Sequence, residues 1–138
     1  CLIPADGYFD WRLDGQGNRT PALVRLRTAA NRATSATFGL AGVFDRWVSD
    51  DGTVAAESCT ILMVPSNATA ASCGPWMPAL VRPQDYAEWL GEGGGADTAR
   101  IRDLCRVWAD DLTWLIAVGP AVHSPRFDDP RCVAPAGE

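Results

Sequence analysis

The chain has 138 residues, 47% of them hydrophobic, and a net charge of −5. That is enough for one domain with a sizeable core, too little for two ordinary ones, and a poor match to wholesale polyanion binding. It contains no run of about 18 apolar residues and no basic n-region before an apolar h-region, which argues against a membrane span or signal peptide and for a soluble, cytoplasmic protein; a monomer is expected.

CLIP (1–4) and GYFDWR (7–12) are short aromatic or β-branched runs split by Ala5-Asp6-Gly7, and both are expected to be strands. The turn-rich Asp14–Asn18 then joins a hairpin whose return strand is PALVRLR (21–27). Alternation along that strand sets Val24 and Leu26 on one face and Arg25 and Arg27 on the other, toward solvent or a ligand. Residues 11–34 hold five arginines (Arg12, Arg19, Arg25, Arg27, Arg32) against the single acid Asp14, a local basic stretch within an acidic chain.

FGLAGVFDRWV (38–48) and SCTILMVP (58–65) form a second hairpin around Ser49–Gly52, with Gly39 and Gly42 marking a bulge or a close backbone approach. A polar loop, 66–78, ends in Trp76-Met77. Arg82–Leu90 reads as a short helix with Pro83 in its first turn and Gly91 at its end, followed by the connector GEGGGA. Asp97 caps a second helix with the apolar stripe Ile101, Leu104, Cys105 and Trp108. Leu112–Val118 is a buried strand, and a proline-punctuated tail carries a last short edge strand at Arg131–Val133. The fold class is α+β, a β-rich single domain over 1–138.

Chemistry-bearing residues are few. Asp10, between Phe9 and Trp11, is a general acid or base if desolvated against the rings, and an ordinary exposed carboxylate if it alternates to water. The five cysteines form no CxxC pair and His123 is the single histidine, so neither a metal site nor a cofactor is expected. His123 reads as a hydrogen-bonding loop residue, and Cys73, with no histidine nearby in sequence, as structural. The sequons at Asn18 and Asn67 read as chance. Trp11, Trp76 and Tyr8 are candidate stacking platforms for unpaired bases, although core packing is the more frequent fate of a Trp.

CLIPADGYFDW, FGLAGVFDRW, TILMVPSNATAASCGPWMPALVRPQDYAEWL and AVGPAVHSPRFDDPRCVAP resemble, in order and spacing, the blocks of the SOS response-associated peptidase (SRAP) family. That family's pattern runs RCLIPADGFYEW, FAGLWERW, TTxAN, a His-Asp-Arg-Met-Pro segment leading to a helix ending in WL, and a VSxxVNxPxNDxPELIEP tail. The resemblance implies a β-rich fold of twisted antiparallel sheets, a distorted barrel with two or three short helices. Its positively charged cleft would hold single-stranded DNA at an abasic site. The family's N-terminal Cys-Gly-Arg cysteine forms a thiazolidine crosslink with the sugar aldehyde, a glutamate and a histidine assist imine formation, lyase chemistry and reversal, and autoproteolysis gives the family its peptidase name.

Carried over, Asp10 takes the glutamate's place one methylene shorter, with a reach shorter by about an ångström. Gly74 stands where the family has its histidine, Trp76 where it has an arginine, and Met77 matches its methionine. His123 replaces the asparagine of the tail block. The expected sites are therefore Asp10 as catalytic residue and Trp11, Arg25, Arg27, Trp76 and His123 as DNA-binding residues. Three readings compete: an abasic-site crosslinking protein, a catalytically dead domain that binds nucleic acid or a protein partner, and a processed chain in which Cys1 is the nucleophile. Because the CLIPADG block lies in the middle of the family pattern, the chain is expected to be the C-terminal two-thirds of the fold, with a preceding segment of the same protein as partner.

Overall fold

The computed structural model describes residues 1–27, 37–92, 94 and 97–137. Arg32 of the basic stretch and parts of the GEGGGA connector lie outside these. The described chain divides into two compact units, one built from 1–5, 38–64 and 78–107, the other from 6–37, 65–77 and 108–138.

The spine of the first unit is the 11-residue strand Phe38–Val48, which is β4 in chain order after β1 (Leu2–Ala5), β2 (Tyr8–Leu13) and β3 (Arg19–Leu26). β1 pairs antiparallel with it from Leu2↔Ala41 to Ala5↔Phe38. β5 (Ala55–Ile61) pairs from Gly42↔Ile61 to Val48↔Ala55. The short β8 (Leu80–Val81) meets Gly39 and Leu40, which also pair with β1, so it occupies the opposite edge of β4 from β1. The register is unbroken at both glycines. What they permit is close approach: a Cβ on Gly39 would lie 3.0 Å from Leu2 Cδ2 and the Tyr86 ring, and one on Gly42 would lie 2.9 Å from Cys1 Sγ.

Ala41, Ala79, Val81 and Leu104 are sealed in this unit's core beside Trp89. Its polar groups are paired: the Gly39 amide donates to Tyr86 Oη at 2.8 Å, and Trp89 Nε1 donates to the Cys1 carbonyl at 2.7 Å. The expected first helix is a 3₁₀ turn, Pro83–Asp85, continuing into α1 (Tyr86–Trp89), with Gly91 following at φ 81°. α2 (Thr98–Leu104) starts at Asp97, whose carboxylate accepts from the Arg100 amide at 2.7 Å. It does not run on to Trp108. Arg106 instead exchanges both backbone hydrogen bonds with Leu80, at 2.8 and 2.9 Å, and that pairing holds the chain extended from Cys105.

The second unit is built on the sheet β2-β3-β9, with β9 at Thr113–Ala117 and β3 in the centre. The Asp14 carboxylate closes the β2–β3 turn by accepting from the amides of Gln16 at 2.9 Å and Asn18 at 2.8 Å. Trp108 is buried here, edge-on to Tyr8 with ring centroids 5.7 Å apart. The tail forms 3₁₀ turns at Pro120–His123 and Pro130–Val133. The edge strand expected at Arg131–Val133 is thus a helical turn: Pro130 presets its φ and the Asp129 carboxylate accepts from the Arg131 amide at 2.9 Å.

A third pairing, β6 (Met63–Pro65) with β7 (Trp76–Pro78), is a two-stranded ribbon. The sheets are antiparallel, as expected, but among the described residues they are open and do not close into a barrel. Closure would need every strand paired on both edges, and the outer half of β4 is paired only to β5.

Candidate nucleic-acid interface

The cross-strand register of the second unit decides which candidates can act together. Trp11 lies opposite Pro21, Phe9 opposite Leu23, Leu23 opposite Ile116 and Arg25 opposite Trp114. Directly opposed residues and alternate residues share a face, so Trp11, Arg25 and Trp114 lie on one side of the sheet. Tyr8, Asp10 and Arg12 lie on the other, with Val24, Ala22 and Leu115.

On the first face Arg27 Cζ sits 4.2 Å from the Trp114 ring centroid, a cation–π contact. The Arg25 guanidinium reaches to 3.8 Å from the Asp6 carboxylate, and its side chain is 21% exposed. Neither arginine is fully exposed: both are half-buried, next to the stretch Pro21–Val24 that is buried on both faces of β3. Nε of Arg25 and Nε of Arg27 are buried, with no acceptor among the described residues. The Trp11 ring packs against His123, centroids 5.9 Å apart, and His123 itself is exposed. Four of the five expected DNA-binding residues thus share one side of one sheet. The fifth, Trp76, is 57% exposed in β7 and is not part of that sheet.

Asp10 is half-buried, and its Oδ1 accepts from the Trp11 amide at 2.7 Å. Its surroundings register its charge. The Tyr8 hydroxyl is held well above its usual range by burial first, then by Asp10 and Cys73. The buried Cys73 thiol is likewise raised by burial and then by Asp10, against the opposing pull of a Ser72 hydrogen bond and the Arg12 charge. The Asp10 charge thus acts on both Tyr8 and Cys73, with the Arg12 charge opposing it at Cys73, a coupling that the local sequence around Cys73 did not announce. The resulting thiol is a protonated, poorly nucleophilic one.

Asn67 was also missed. Its Nδ2 donates to the Trp108 carbonyl at 3.0 Å and to Thr113 Oγ1 at 2.7 Å, while its Oδ1 accepts from the Ala70 amide at 2.8 Å. The loop is pinned further by the Thr69 amide, which donates to Asp110 at 2.6 Å; the Thr69 side chain first and then this amide hold that carboxyl below its ordinary range. Cys1 belongs to the other unit, where its amine donates to the Gly42 carbonyl at 2.8 Å and its own carbonyl accepts from Gly42 and Trp89.

The sequence profile described as SOS response associated peptidase (SRAP) matches residues 1–125. The chain belongs to the SRAP family. Relatives include the abasic site processing proteins YoqW of Bacillus subtilis (23% identical over 133 residues, 96% of this chain and 56% of the relative) and YoaM of the same species (27% over 126 residues, 91% and 52%). The mouse abasic site processing protein HMCES is 25% identical over 156 residues, covering 99% of this chain and 43% of its own. A crystal structure of a Bacteroides thetaiotaomicron protein superposes with a TM-score of 0.81 at 24% identity, over 99% of this chain and 56% of that one, and shares the fold. This SRAP chain spans about half the length of the curated relatives it matches.

Proposed function

We propose that this chain is the C-terminal two-thirds of an SRAP domain that processes abasic sites in single-stranded DNA through a covalent protein–DNA crosslink. The observation that carries the DNA part of the reading is the buried, acceptor-free Nε pair of Arg25 and Arg27 on the same sheet face as Trp11. A guanidinium whose donor is desolvated without a partner gains most from an incoming phosphate oxygen. Trp11 and His123 on that face, with the exposed Trp76, offer rings for unstacked bases. The site needs no cofactor and no metal.

In the crosslinking step the amine of an N-terminal cysteine adds to the open-ring aldehyde, water leaves to give the imine, and the thiol adds across that C=N bond to close the thiazolidine, with no net oxidation. Asp10 lies across the sheet from Arg25 and Arg27, on the edge strand β2, so the abasic nucleotide would have to turn around that edge for Asp10 to serve as the acid that protonates the departing hydroxyl and as the base that takes the proton back. The nucleophile comes from the preceding segment. Cys1 is a poor candidate, since its amine is tied to Gly42 in the β1–β4 ladder.

The test is to incubate the polypeptide, carrying its natural upstream residues, with a single-stranded oligonucleotide bearing one abasic site and resolve the products by denaturing electrophoresis. A covalent band is expected, formed about 100-fold more slowly by Asp10→Asn. Absence of any band from the natural-length polypeptide would end the crosslinking reading. The second reading, a domain that binds without reacting, is favoured by one observation: Gly74 and Trp76 stand where the family pattern has its histidine and arginine. Salt-dependent binding to abasic DNA with no crosslink is its signature.

A further inference from the structure

The loop 66–77 lies over the Asp10 face of the β2–β3–β9 sheet. Asn67 Nδ2 donates at 2.7 Å to Thr113 Oγ1, and Thr113 stands opposite Leu26, on the same face as Val24, Tyr8 and Asp10. Trp108, whose carbonyl Asn67 also holds, is edge-on to Tyr8. The far end of the loop is a firm mount for one ring. The Ser66 amide donates to the Pro75 carbonyl at 3.0 Å, the Asn67 amide to Met77 Sδ at 3.4 Å, and Pro75 fixes φ just before Trp76. Met77 is fully buried, whereas Trp76, its neighbour in β7, is turned the other way and stands 57% exposed. The space over Gly74 is open too, since a Cβ there would meet no heavy atom within 4 Å.

This face also carries a cation. Arg12 alternates with Tyr8 and Asp10 along β2 and is exposed, with no carboxylate paired to it among the described residues. Its charge acts on the Cys73 thiol, three residues from Trp76. An indole held with its face open loses little freedom when a planar group settles on it, and a free guanidinium nearby takes a phosphate oxygen. A nucleotide offers both groups, whereas an apolar protein side chain would use the indole and leave Arg12 unengaged.

We propose that Trp76 stacks the base next to the abasic sugar while Arg12 pairs with a phosphate of the same strand, so that this chain selects lesions by their neighbour and prefers a purine there. The inference rests on the reading that the chain binds abasic single-stranded DNA. It gives the Asp10 side of the sheet a hold on the strand separate from that of Arg25 and Arg27. The preference follows from stacking strength, because a purine covers more of the indole than a pyrimidine does.

It is tested on the complete translation product of the gene by fluorescence anisotropy. The probe is a single-stranded oligonucleotide with one tetrahydrofuran residue, an unreactive abasic sugar, whose 5′ or 3′ neighbour is adenine, thymine or a second tetrahydrofuran. On the stacked side, removing the adenine base should weaken binding about 5- to 100-fold, with thymine in between. Trp76→Ala should level the three oligonucleotides and Trp76→Phe should keep their order. Arg12→Gln should weaken all three alike and lower the slope of log affinity against log salt by about 0.7. Equal binding of all three by the unsubstituted protein, or the same order in Trp76→Ala, overturns the proposal and leaves the DNA reading in place. An unchanged salt slope in Arg12→Gln overturns its phosphate half, and no salt-dependent affinity for any of the oligonucleotides ends both the proposal and the DNA reading.

Discussion

The two units hold their buried polar groups in opposite ways. In the β1–β4–β8 unit the groups that enter the core arrive with partners, such as the Gly39 amide on Tyr86 and the Trp89 indole on Cys1, and the centre is small-residue packing around Ala41, Ala79, Val81 and Leu104. In the β2–β3–β9 unit Tyr8 Oη, Arg25 Nε, Arg27 Nε and Ser66 Oγ are buried without a hydrogen-bond partner among the described residues. An unpaired buried donor costs about 1–3 kcal/mol, so a fold retains such groups where a ligand will use them. The first unit reads as scaffold and the second as the working surface, and that contrast can be broken from either side.

The largest effect is expected in the scaffold. Leu104→Ala removes a fully buried side chain and should destabilise by about 2–5 kcal/mol in denaturant unfolding. A loss below about 1 kcal/mol would mean that the site collapses freely and is not a packed core. In the same unit Tyr86→Phe strips the acceptor from the Gly39 amide and should cost about 1–3 kcal/mol.

The opposite outcome is expected for the arginines. Replacing Arg25 and Arg27 with Met keeps the apolar stems and removes the partnerless donors, so stability should change by no more than about 1 kcal/mol. Binding to single-stranded DNA should weaken, and the slope of log affinity against log salt should shrink by about 0.7 for each phosphate that is no longer neutralised. A protein that unfolds on this change while its DNA affinity holds would reverse the assignment of roles.

The Asp10 surroundings give a pH signature. Both Tyr8 and Cys73 are raised in the folded state, so the fold favours their protonated forms. The Cys73 contribution is complete below the ordinary thiol value of 9.0 and is lost as pH rises through its raised value. Alkaline unfolding should therefore be blunted in Cys73→Ala, and at pH near 8 exposed Cys59 should alkylate about tenfold or more faster than Cys73. The smallest effect belongs to the Ser49–Thr53 turn, where hydrogen bonds from Ser49 and Thr53 lower the Asp51 carboxyl to about 2. Its contribution is present above the ordinary carboxylate value and lost only as pH falls through about 2, which a chemical-shift titration of Asp51 would follow.

Much of this was readable from the residues alone, wherever the cause is local. Strand alternation placed β2, β3 and β4, the Asp14 and Ser49–Gly52 turns joined the hairpins, and Pro83, Gly91 and Asp97 bounded the helices, because a turn or cap is decided by a few adjacent groups. The order of the sequence blocks likewise pointed to the SRAP family. What local pattern could not supply were outcomes that depend on remote partners. Trp108 fits a helical stripe until Arg106 pairs with Leu80, and Arg131–Val133 follows the cap of Asp129 rather than its strand propensity. Only the register of β2, β3 and β9 separates Asp10 from Arg25 and Arg27 across the sheet, and only the folded loop carries Cys73 to Asp10. Alternation states that two residues face opposite ways, and it takes the neighbouring strands to say what each of them faces.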